Sequence, residues 1–84
     1  MSFEVIWSES AARQLRGLDR VVARRIFSKV GELRENPHRL VRKIVNSPYY
    51  RLRVGKYRVI LDIGQDRLRV LVLKVGPRES IYRP

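Results

Sequence analysis

Near residue 42 the spacing of apolar side chains changes from helical to alternating, and that switch decides most of what this chain can become. Before it, Ala11, Ala12, Leu15 and Leu18 recur at helical intervals. Val22, Ile26, Val30 and Leu33 then form a second stripe, widened by Ala23 and Phe27. Ser8 stands as N-cap of the first helix with Glu9 well placed for its dipole, and Asp19 caps the second. Gly17 weakens the first helix near its end. Asn36-Pro37 closes the second, because a residue before proline disfavours the helical conformation. Arg20, Arg24, Lys29, Glu32 and Arg34 fall mostly outside the stripe, so the pair reads as an antiparallel hairpin with a basic outer side.

Beyond the switch, Lys43 to Val45 reads as a brief extended piece, broken by Asn46-Ser47-Pro48. Three strands follow over residues 49–54, 57–63 and 67–75, and Pro77 stops the last. Phe3 to Trp7 is rich in strand formers and supplies an opening strand. The expectation is an α+β fold over residues 1–84: an N-terminal strand, a two-helix hairpin, then an antiparallel meander of three to four strands with the helices on one face. At 84 residues there is room for one domain, and about 60–65% of the unfolded surface can be buried. Without cysteine there is no disulfide frame and no thiolate zinc site. No apolar run approaches the length of a membrane span or signal peptide, so the expected location is the cytoplasm.

The hairpin at Gly55-Lys56 is a Gly-first two-residue loop of type II′ character, and it fixes the register of its strands. Val54 then faces Tyr57, Arg53 faces Arg58, Leu52 faces Val59 and Arg51 faces Ile60. One side of this ribbon carries Tyr50, Leu52, Val54, Tyr57, Val59 and Leu61, a seat for the helices. The other carries Tyr49, Arg51, Arg53, Arg58, Ile60 and Asp62. Like charges directly opposite on paired strands destabilise by a few tenths to about 1 kcal/mol. Folding gains nothing from three clustered guanidinium groups, whereas phosphate would relieve them. If Ile63 pairs with Arg67, Val70, Val72 and Lys74 join that face and Arg78 follows at the same parity. Its middle is then apolar at Ile60, Val70 and Val72, a surface for a partner chain to cover.

The charge distribution agrees with a polyanion partner. Of 19 basic residues 15 are Arg, the net charge is +11, and residues 41–84 hold 11 bases against 3 acids. The single His38 follows Pro37 after a helix end and reads as a surface loop residue. Asp62, Asp66 and Glu79 lack metal-binding spacing, no Gly-rich phosphate loop precedes a helix, and no cofactor site is expected.

The segment Tyr50-Arg51-Leu52-Arg53-Val54-Gly55-Lys56-Tyr57-Arg58-Val59-Ile60 resembles the signature hairpin of the RelE/ParE toxin superfamily. Val75-Gly76-Pro77-Arg78-Glu79-Ser80-Ile81-Tyr82 is similar to the C-terminal segment of that family, and the element order agrees along the whole chain. The resemblance implies the RelE-like fold and the toxin of a type II toxin–antitoxin pair. RelE-like members are metal-independent endoribonucleases that cut mRNA in the ribosomal A site and inhibit translation. The ribose 2′-OH attacks the adjacent phosphate and a 2′,3′-cyclic phosphate remains. Carried over by position, Arg51 and Arg53 fall on the basic strand residues that bind substrate and move protons, and Arg58 on the arginine that stabilises the phosphate. Arg78 falls on the C-terminal arginine, and Tyr82 on the tyrosine that stacks on a base or assists the nucleophile.

Two departures stand out. Arg51 and Arg53 replace the lysines common on this strand, and arginine stays protonated, so it binds phosphate but serves poorly as a general base. Pro77 replaces a histidine common among relatives. These departures keep two alternatives open: a ParE-like inhibitor of DNA gyrase without nuclease activity, and a basic nucleic-acid-binding module. The resemblance also implies a partner, a small acidic RelB-like antitoxin.

Overall fold

The computed structural model describes residues 2–77. The chain runs β1 (Glu4–Trp7), α1 (Glu9–Arg16), α2 (Arg20–Gly31), β2 (Arg42–Lys43), β3 (Tyr50–Val54), β4 (Tyr57–Gly64) and β5 (Arg69–Pro77). The five strands form one sheet in the order β1-β5-β4-β3-β2, antiparallel except that β1 pairs with β5 in parallel.

Both predicted caps close their helices. The Ala11 N–H donates to Ser8 Oγ at 3.0 Å and the Val21 N–H to Asp19 Oδ2 at 3.1 Å. The stripe of α2 drives Ile26 and Val30 into the core. That helix ends at Gly31, ahead of the proline, and one 3₁₀ turn over Glu32–Arg34 keeps Leu33 buried. Asn36 is left-handed (φ 50°), and Pro37 starts a second short turn. Phe27 stays exposed and stacks on Trp7 with ring centroids 5.9 Å apart.

The core lies on one side of the sheet. Leu52, Val54, Val59, Leu61, Val70, Val72 and Val75 point to it, against Ala11, Ile26, Val30 and Leu33. The β3–β4 register is the expected one, Arg53 opposite Arg58 included. Gly55 has φ +58° and Lys56 does not have positive φ, as a type II′ turn requires.

The next hairpin departs from expectation. Ile63 pairs with Val70 and not Arg67, because the loop spans four residues, Gln65 to Leu68, with Leu68 left-handed at φ 50°. That conformation points the Leu68 carbonyl at β1, where the Glu4 N–H donates to it at 2.8 Å, while its side chain packs on the core margin. The parity shift moves Val70 and Val72 from the arginine face into the core, which corrects the expected apolar middle of that face. A bulge then inserts Leu73 between the Leu61–Val72 and Ile60–Lys74 pairs. It restores the expected parity, and Lys74 stands on the arginine face. Beyond Trp7, α1 covers the edge of β5: the Ser8 N–H donates to Val72 O, the Ser8 hydroxyl to Leu73 O, and Gln14 Oε1 accepts from the Val75 N–H at 2.7 Å. Among the described residues no helix is long and apolar enough to cross a membrane.

Candidate nucleic-acid interface

The sheet face away from the helices is laid out in rows by the strand registers. The first row holds Arg53, Arg58 and Gly76; the second holds Arg42, Arg51, Ile60 and Lys74. Five cations therefore share two adjacent rows, and two pairs, Arg42–Arg51 and Arg53–Arg58, sit directly across the ladder from one another. Such pairing opposes folding in the absence of an anion.

Arg42, Arg51 and Arg53 line a cleft of about 370 Å³ with Leu40 at its side. Sequence reasoning missed Arg42. Its place depends on the two-residue bridge of β2 to β3, which begins one residue earlier than the expected extended piece and has no strong alternation to announce it.

Arg58 differs from its neighbours. Only 4% of it is exposed, and its cross-strand partner Gly76 has no side chain. One terminal guanidinium nitrogen donates to its neighbour Tyr57 O at 3.2 Å, which fixes the group to the strand. The buried Nε–H meets no acceptor among the described residues. A buried donor without a partner costs about 1–3 kcal/mol, more when charged, and an anion entering this face would recover that cost.

The remaining candidates sort clearly. Arg51, Arg53 and Arg58 come together as expected, whereas Arg78 and Tyr82 lie outside the described residues. His38 stands away from the arginine cleft: its Nε2 is 3.1 Å from Gln65 Oε1, and its ring meets Tyr50 edge-on at 5.3 Å. Tyr50 and Tyr57 pack against the core, as their parity predicts. Tyr49, on the opposite parity, is exposed. Among the described residues no three His, Asp or Glu side chains gather as a metal cage.

A search of curated proteins finds no match. Solved structures do match. A chain of the RelBE2 toxin–antitoxin complex of Mycobacterium tuberculosis superposes with a TM-score of 0.83 at 22% identity, covering 93% of this chain and 100% of that one. The archaeal RelE–RelB complex of Pyrococcus horikoshii gives 0.79 at 26% identity over 93% and 97% of the two chains. The intact RelBE complex of Escherichia coli gives 0.78 at 22% identity over 90% and 96%. The profile of the ParE toxin of type II toxin–antitoxin systems covers residues 5–82, nearly the whole sequence. A RelE-like fold and a profile match of that extent leave one assignment: this chain belongs to the RelE/ParE toxin superfamily and is a type II toxin–antitoxin toxin.

Proposed function

We propose that the arginine face binds mRNA in the ribosomal A site and promotes its cleavage in the cytoplasm. The observation that carries this reading is Arg58, a buried guanidinium whose Nε donor is unmatched among the described residues, beside the Arg42, Arg51 and Arg53 cleft. The ribose 2′-oxygen attacks the adjacent phosphorus in line while the bond to the 5′-oxygen breaks. A 2′,3′-cyclic phosphate and a 5′-hydroxyl result, the proton lost by the 2′-OH being balanced by one gained at the leaving oxygen. Arg58 and its neighbours stabilise the charge on the non-bridging oxygens of the pentavalent transition state, in a site whose donors are placed before substrate arrives. Arginine does not accept the proton, so the rate rests on that charge stabilisation and on orientation of the 2′-OH. Arg78 and Tyr82 complete the site by family position.

A small acidic antitoxin neutralises the chain, in keeping with its charge of +11 and with the RelB-bound state of its structural neighbours. The test adds the purified toxin to translating ribosomes and maps mRNA ends. New 5′-hydroxyl ends within codons are expected, and Arg58→Ala removes them. Intact mRNA at stoichiometric toxin sinks the nuclease reading. Inhibition of gyrase supercoiling without RNA cleavage would instead install the ParE-like alternative, which the ParE profile match and the arginines standing in place of proton-accepting lysines favour.

A further inference from the structure

The arginine face changes character in its third and fourth rows. Asp62 lies opposite Leu71, which is also the partner of Ile6, and Gly64 lies opposite Arg69, which pairs with Glu4. Tyr49 immediately precedes β3 on the parity of Arg51 and Arg53, which brings its exposed ring to the third row. Asp62, Gly64, Asp66, Arg67, Arg69 and Leu71 line a second cleft of about 220 Å³. The Arg69 guanidinium is held by Glu4, 3.6 Å away. The Asp62 carboxylate has no hydrogen bond or ion pair among the described residues, although it is half-buried on the face that carries Arg51, Arg53 and Lys74.

The Asp62 carboxylate, with Asp66 lining the same cleft, repels phosphate. It accepts well from the N–H groups on the edge of a nucleobase, and Leu71 and Tyr49 offer apolar and aromatic surface for the ring. Asp62 follows the Arg51–Ile60–Lys74 row by two residues of strand, about 7 Å, so one RNA strand can reach both. We propose that the Asp62 cleft is a nucleobase subsite that selects guanine, whose N1–H and N2–H₂ can both donate to one carboxylate. Adenine, cytosine and uracil cannot present two adjacent donors on that edge. The proposal rests on the reading that RNA occupies the arginine face. It adds that the two halves of the face divide the labour: the first two rows hold the backbone and the third reads a base.

The test uses the full chain and fluorescent single-stranded RNA hexamers of uridine carrying one central guanosine, inosine, adenosine or cytidine, with binding followed by anisotropy at low salt. The guanosine hexamer is expected to bind roughly tenfold more tightly than the adenosine one, with inosine between them because it keeps N1–H alone. In Asp62→Asn the guanosine-to-adenosine ratio falls toward one. That substitution is isosteric and removes no internal contact, so circular dichroism and the unfolding midpoint should stay those of the parent. Tight binding of every hexamer with no base preference overturns the subsite and spares the RNA reading. A preference that survives Asp62→Asn does the same. Failure of all hexamers to bind overturns the subsite, while the ribosome-dependent reading stands or falls on the mapping of mRNA ends.

Discussion

The two faces of this sheet are built from the same strands, residue by residue in alternation, yet they obey opposite rules. On the helix side every position of β3, β4 and β5 that points inward is apolar, from Leu52 through Leu61 to Val72, and α2 closes over them. On the other side the same strands oppose Arg42 to Arg51 and Arg53 to Arg58, and leave a buried guanidinium donor unmatched among the described residues. The first face is where burial holds the fold together. The second stores unfavourable electrostatics that an anion can release, which is the pattern expected where function, and not stability, sets the residues.

The largest expected effect lies on the core face. Leu61 is fully buried, so Leu61→Ala should cost about 2–5 kcal/mol, read as a fall in the denaturant midpoint. A loss below about 1 kcal/mol would deny β4 its place in the core. The mirror substitution is Arg58→Met. It removes a desolvated charge of which Nε meets no acceptor among the described residues, and keeps an unbranched side chain of similar reach. Stability should rise by about 1–3 kcal/mol while toxicity on expression disappears. A variant that is both less stable and inactive would show that the guanidinium supports the fold.

How much of each face could be read from the residues follows from their turns. A two-residue loop admits one register, so Gly55-Lys56 alone was enough to place Arg51, Arg53 and Arg58 together and to send Leu52, Val59 and Leu61 inward. The β4–β5 hairpin hid two compensating irregularities. Gly64 and Asp66 advertise a tight turn, but the positive φ falls on Leu68, where neither glycine nor asparagine marks it. What selects it is tertiary: a carbonyl aimed at Glu4 and a side chain on the core. The bulge at Leu73 carries no local signature either, being stabilised from outside by α1 through Ser8 and Gln14. Local sequence reports local geometry, so the candidate site was legible where it rides on a short loop. It was not legible at Arg42, nor in the β5 side of the Asp62 cleft, where long-range pairing sets the neighbours.

The edge of β5 joins the two faces, and it makes a smaller prediction. Ser8 caps α1 and also donates to Leu73 O beside the bulge. Ser8→Ala should therefore cost about 1 kcal/mol, close to the cap alone, since the second bond is long at 3.3 Å. A much greater loss, measured by the same denaturant titration, would mean that the bulge depends on this hydroxyl.

The smallest effect is also the most diagnostic, because its sign separates the faces. Arg53 is exposed and lies directly across from Arg58, so Arg53→Ala deletes a repulsion and no core contact. The variant should gain a few tenths to about 1 kcal/mol at low salt. Raising the salt should shrink that gain, since screening relieves the parent and leaves the variant little to recover. The parent should likewise gain more than the variant from added phosphate, because an anion seated between the two guanidinium groups supplies the missing countercharge. A core position cannot behave this way, since truncating Leu61 removes buried surface that neither salt nor phosphate restores. If Arg53→Ala instead destabilises equally at all salt concentrations, its aliphatic stem is packing against the sheet, and the division between the faces is less sharp than the registers imply.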